Sequence, residues 1–180
     1  AIALLAGDSL ENLAFSVVAN SSELSPKIIV EVIKELSYAI GVEGMIGGQV
    51  IDIKNENKAI SKEILSKMYS CKTGALIRSA CRMGCIIANA SQEQLQNATI
   101  YAENLGLAFQ IIDDILDVIG TQETLGKPIG SDEAQGKSTF VSLYGIEQAT
   151  KMAEEYTNNA LNALNNFKET SIGVFLHHLQ

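Results

Sequence analysis

Tryptophan is absent from this chain of 180 residues, proline and histidine each occur twice, and aromatic residues make up only 6% of it. Each scarcity excludes something. With so little proline, long helices can run uninterrupted, and both prolines sit where an element begins or a loop runs. The three cysteines, Cys71, Cys81 and Cys85, form no CxxC pair, and His177 and His178 lie far from them in sequence. That leaves little for a zinc site. An odd thiol number without an export signal fits a reducing cytoplasm, the expected location. Cys81 and Cys85 are one helical turn apart and read as small core residues. Basic residues are outnumbered 13 to 21, for a net charge of −8, which argues against a nucleic-acid partner. An acidic chain can still take an anionic substrate if metal ions sit between the two. No apolar run approaches the length of a bilayer span. The opening AIALLAGDSLENLAF has no basic n-region and carries Asp8 early, so neither a membrane span nor a signal peptide is expected.

What is present is a core and a helical pattern. The composition is 47% hydrophobic and 19% charged, and the length suits one domain, residues 1–180. Ser25-Pro26 has the form of an N-cap followed by proline at the first helical position. Ser91 with Gln94 three residues on has capping-box form. Gly120 is placed to end the helix that Ser91 opens. Helices are predicted at roughly 3–19, 26–40, 42–53, 61–70, 73–89, 92–119, 138–167 and 171–179. No stretch alternates apolar and polar residues as a strand would, so the fold class is all-α. GTQETLGKPIGSDEAQGKST is the one long polar loop, and a loop of that length is often functional. The chain opens inside an apolar helical pattern without a cap or an initiator methionine, as a piece of something longer would.

Residues 109–120 read FQIIDDILDVIG, three carboxylates in a run otherwise almost wholly apolar. At about 100° per residue, Asp117 falls near 40° from Asp113 and Gln110 near 60°, with Asp114 about 100° round. Asp113, Asp117 and Gln110 thus form a polar stripe with Asp114 at its margin. Phe109, Ile111, Ile112, Ile115, Leu116, Val118 and Ile119 make the other sides apolar, the mark of a helix surrounded by neighbours. The stripe is therefore expected to face an internal cavity. Bare carboxylates there would repel one another and lose hydration. A divalent cation relieves both costs, and all-oxygen donors suit Mg²⁺ or Ca²⁺.

FQIIDDILD resembles the second aspartate-rich motif of the trans-isoprenyl diphosphate synthases, the polyprenyl synthetase family that makes farnesyl and geranylgeranyl diphosphate. LLAGDSLENLAF, GMIGGQVIDI, KTGALIRSACRMG, YAENLGLAFQIIDDILD and LGKPIGSDEAQGKST agree with the family in content and order, over essentially the whole chain. The resemblance implies an α-helical bundle of the isoprenoid synthase type, here without its first helices. It implies a homodimer and an Mg²⁺-assisted reaction in which an allylic diphosphate ionises and is attacked by isopentenyl diphosphate. Asp113 and Asp117 match the acids linked to Mg²⁺, with Asp114 a supporting acid in the metal set. Lys72 and Lys127 match lysines that grip the allylic diphosphate, and Lys137 a further one. Thr73 and Gln110 match residues whose oxygens lie near the developing carbocation, and Phe109 belongs to the FQ pair on the substrate side. The glycines of the long loop suit the hinges of a lid.

Gly136-Lys137-Ser138 is not a P-loop, because the glycine that GxxxxGK requires would fall at Ser131. Gly44, Gly47 and Gly48 are expected to permit close helix packing, with Gln49 and Asp52 near the cavity edge. Asp8 is expected to be a buried structural acid rather than a ligand. The 180 residues hold only the second of the two facing acid motifs, so this length of chain is not expected to condense substrates by itself. Two alternatives stay open: a terpene cyclase of the same fold, and a non-catalytic regulatory subunit.

Overall fold

The computed structural model describes residues 1–120, 130 and 136–167, and the predicted helix at 171–179 lies outside them. Among these residues all regular structure is helical. In chain order the elements are α1 (Ile2–Ala19), α2 (Pro26–Ile40), α3 (Met45–Asn55), α4 (Lys62–Tyr69), a widened π-type turn (Ser70–Gly74), α5 (Ala75–Ile87), α6 (Gln92–Ile119), α7 (Phe140–Tyr144), α8 (Ile146–Ala163) and a 3₁₀ turn (Leu164–Phe167).

The caps form as the sequence predicts. The Ile28 amide donates to Ser25 Oγ with Pro26 at the first helical position. Ser91 Oγ accepts from the Gln94 amide at 3.2 Å, and Gln94 Oε1 accepts from the Ser91 amide at 2.9 Å. Gly120 closes α6 by donating to Leu116 O. One predicted helix is divided: Gly145, at φ +78°, interrupts 138–167 and separates α7 from α8.

Helix α6 is the central post. Its small residues Ala98 and Ala102 face α8, whose own Ala149, Ala153 and Ala160 are equally buried, so the two helices lie close. One buried cluster joins Leu65, Met68, Tyr69, Ile111, Ile115 and Phe140. A second, toward the start of α6, joins Cys85, Tyr101, Leu164 and Phe167. Arg82 of α5 fastens α2 to α6: Nε and Nη2 donate to Glu35 at 2.8 and 2.6 Å, and Nη1 donates to Thr99 Oγ1 at 2.8 Å. The hydrogen-bonded Glu35 carboxylate raises the Arg82 pKa against the opposing effect of burial.

Three expectations need correction. Phe109, Ile112, Leu116 and Ile119, spaced along one face of α6, are exposed, so α6 is not enclosed on all sides among the described residues. An apolar composition all round reports what a helix prefers to touch, not what covers it here. Asp8 lies exposed on α1, because no residue of that helix is buried. Finally, α1 is long and apolar enough, by length and composition alone, to cross a membrane, since Asp8 and Glu11 interrupt the run without ending it.

Candidate functional site

The site begins with a packing detail in α3. A Cβ on Gly48 would stand 2.2 Å from Lys72 N and 2.6 Å from Lys72 Cα, so only glycine lets α3 touch the backbone of the π-type turn. One turn further along α3, Asp52 shares that face and its Oδ2 accepts from Lys72 Nζ at 2.5 Å. The widened turn adds a residue to the helical circuit and presents Lys72 and Thr73 together. Thr73 Oγ1 donates to Gln110 Oε1 of α6 at 3.1 Å.

Helix α6 supplies the acids. Gln110, Asp113 and Asp114 line a cavity of about 100 Å³ together with Asp52, Lys72 and Lys137. Asp113 is partly exposed there, whereas Asp114 is buried at 5% exposure. The Tyr69 hydroxyl lies 2.7 and 2.9 Å from the two Asp114 oxygens, and the Phe140 amide donates to Oδ2 at 2.8 Å. Asp114 therefore joins the end of α4 to the start of α7, where the chain returns from the long loop. The residues just before α7 are held from below: Ser138 Oγ donates to Lys58 O, and Gly136 O accepts from the Asn57 amide. These bonds set Lys137 at the cavity.

The predicted site residues thus come together in part. Lys72, Gln110, Asp113, Asp114 and Lys137 line one cavity, and Thr73 joins it through Gln110. Asp117 does not line it; the residue is buried at 3% exposure, and its backbone oxygen accepts from the Gly130 amide. Its angle on the helix suits the stripe, but it lies about 6 Å further along the axis, past the cavity. Phe109, expected on the substrate side, is 55% exposed and does not line the cavity either. Lys127 lies outside the described residues. Sequence reasoning missed Tyr69 and the Asp52–Lys72 pair. The only sequence signal for the pair was Gly48 one turn before Asp52, a small residue that brings its helix face against a neighbour.

The donor set tests the expected cation. Every acid at the cavity offers hard oxygen, but no three His, Cys, Asp or Glu side chains converge as a ready-made cage among the described residues. Asp52 is bonded to Lys72, and Asp114 to Tyr69 and the Phe140 amide, while Asp113 lines the cavity partly exposed. That arrangement fits Mg²⁺, which uses one or two carboxylates and fills its other positions with water and phosphate oxygens.

Comparison with known proteins agrees with this geometry. The polyprenyl synthetase family model matches residues 1–173. Farnesyl diphosphate synthase of Escherichia coli strain K12 is 43% identical over 173 residues, covering 94% of this chain and 58% of that protein. Geranylgeranyl diphosphate synthase of Cyanophora paradoxa is 41% identical over 155 residues, covering 85% of this chain and 52% of that protein. The crystal structure of a Helicobacter pylori geranyltransferase complexed with magnesium and isoprenyl diphosphate superposes with a TM-score of 0.86 at 34% identity, over 98% of this chain and 58% of that one. An all-α fold of the isoprenoid synthase class is what these helices build. The chain belongs to the polyprenyl synthetase family. It spans between half and three-fifths of the length of these relatives.

Proposed function

We propose that residues 1–180 form part of one catalytic domain and supply the second acid cluster of a prenyltransferase. In this reading an allylic diphosphate ionises with Mg²⁺ bound and is extended by isopentenyl diphosphate to a product of the farnesyl or geranylgeranyl class. The observation that carries the reading is a single cavity lined by Asp113, Asp114, Lys72 and Lys137. Asp113 would hold Mg²⁺, and Asp117 would act only through water or after a shift of the chain near Gly130. Bound Mg²⁺ supplies charge neutralisation for the departing diphosphate. Lys72 and Lys137 would bind the same anion, with Lys127 of the loop a third cation. The Thr73 and Gln110 oxygens turn their dipoles toward the place where positive charge develops. Phe109 would meet substrate only if further polypeptide covers its exposed face. Asp114 supports the reading as an anchor rather than a ligand.

The facing acid motif is read as coming from polypeptide outside these residues, and a homodimer in the cytoplasm completes the proposal. Three free cysteines and the exposed apolar side chains of α1 support those last two points.

Calorimetric titration of the 180-residue chain with inorganic pyrophosphate tests the site. Saturable binding that requires Mg²⁺ and weakens at least about tenfold in Asp113→Ala is expected, since an ion-mediated contact is lost. Absence of Mg²⁺-dependent binding would overturn the reading. In an active longer polypeptide containing this chain, Asp113→Ala should lower condensation by about two orders of magnitude or more. Near-normal turnover in that variant would favour a non-catalytic subunit.

A further inference from the structure

Asp52 and Lys72 form an ion pair at the cavity, and the pair is built rather than incidental. Asp52 side-chain exposure is 9% and that of Lys72 is 33%, so the carboxylate is sheltered while the ammonium reaches the open space. The α3 backbone is pressed onto the Lys72 backbone at Gly48, which fixes the distance between the two side chains at their roots. Both partners line the cavity that also holds Asp113 and Lys137.

We propose that Asp52 is a positioning residue: it is the resting counter-ion of Lys72, aims the ammonium into the cavity, and must yield it to an arriving diphosphate. The proposal rests on the reading of this cavity as a diphosphate site. Its physical content is a competition. An ammonium has three donors, and the one bound to Asp52 is withheld from phosphate oxygens. The carboxylate also stands among charges of its own sign once a diphosphate enters, and that repulsion is only partly screened beside a sheltered group. Asp52 therefore trades affinity for orientation. It keeps Lys72 from collapsing onto Asp113 or Asp114 in the empty site and from gripping inorganic pyrophosphate too tightly after the reaction.

The neutral isostere separates the two roles. Asp52→Asn keeps an oxygen that can accept from Lys72 Nζ and removes only the charge. Titration with inorganic pyrophosphate in the presence of Mg²⁺ should show about tenfold tighter binding in Asp52→Asn than in the unsubstituted chain. The gain should vanish when Lys72→Gln is added to both, because no ammonium is left to release. A residue serving only to support the fold would weaken binding on substitution, so the direction is diagnostic. Unchanged or weaker binding in Asp52→Asn overturns the proposal; weaker binding is the sign expected if Asp52 were itself a metal ligand. Tightening that persists with Lys72→Gln overturns it too, since the effect would then be general electrostatics. If the unsubstituted chain binds no pyrophosphate at all, the diphosphate reading fails and takes this proposal with it. In the other failures that reading stands.

Discussion

Gly48→Ala puts a single methyl group where the backbones of α3 and the π-type turn meet. The added Cβ would lie 2.2 Å from Lys72 N, and ordinary contact begins at 3.4 Å, so the two segments must separate by 3.4 − 2.2 = 1.2 Å. Both near neighbours, Lys72 N and Lys72 Cα, are backbone, so no side-chain end can swing aside. Overpacking of this kind costs about 1–3 kcal/mol or more, and the upper end applies where backbone meets backbone. Alanine returns about 1 kcal/mol through better helix propensity, leaving a net loss of about 2 kcal/mol. For a chain of this size that lowers Tm by about 4–8 °C. Asp52 moves with α3 relative to Lys72, so the affinity for pyrophosphate should change as well. Gly84→Ala in α5 is the control, because nothing lies within 4 Å of its Cβ position; it should raise Tm by about 2–4 °C. Thermal unfolding followed by circular dichroism, paired with pyrophosphate titration, reads both. A Gly48→Ala chain that melts at or above the unsubstituted temperature with unchanged affinity would refute the close-approach account.

Tyr69→Phe removes the hydroxyl that donates to buried Asp114 and should cost about 2 kcal/mol in chemical denaturation; a loss below about 0.5 kcal/mol would show that the bond carries little. Arg82→Met should destabilise by about 2 kcal/mol through the half-buried Glu35 left behind, while Arg82→Met with Glu35→Leu should recover most of it, because a paired apolar replacement leaves no stranded charge. The second variant melting no higher than the first would contradict that. Burial, with a smaller contribution from Cys85, pushes the Cys81 thiol from 9.0 up to about 11, so peptide-resolved alkylation should be slow at pH 8 and rise only near pH 11. The folded state holds this proton more tightly than the unfolded chain does. Its contribution to stability is thus complete below about pH 9 and lost as pH climbs toward 11, which a pH series of unfolding midpoints will register.

The elements most legible in sequence were those whose signals are local. Ser25-Pro26 and the Ser91/Gln94 box announced α2 and α6, and α6 begins and ends within one residue of its predicted bounds. Gly145 carried a readable signal as well, but an apolar period running through it outweighed a lone glycine. The π-type turn left no such trace, because its backbone is selected by contact with Gly48, which lies more than twenty residues away. The same limit hid the Asp52–Lys72 pair and the Tyr69–Asp114 bond, each between helices distant in sequence. Helical angle alone grouped Asp117 with Asp113, yet cavity depth runs along the axis, and angle says nothing of that. The family motifs mark the site residues in sequence; tertiary packing decides which of them share a space.

The five residues Ser70–Gly74 have a consequence for how this protein can change in length. A π-type turn holds one residue more than the α-helical path between the same two points. Delete one of the five, and α4 would run into α5 as ordinary helix along the same path, so α5 would keep its place while the bulge that presents Lys72 and Thr73 would be lost. Arg82 would keep Glu35 and Cys85 its cluster, so the damage would fall on the cavity rather than on the fold. Insertions and deletions can accumulate in the connections on either side, but across these five positions the count of residues is itself under constraint.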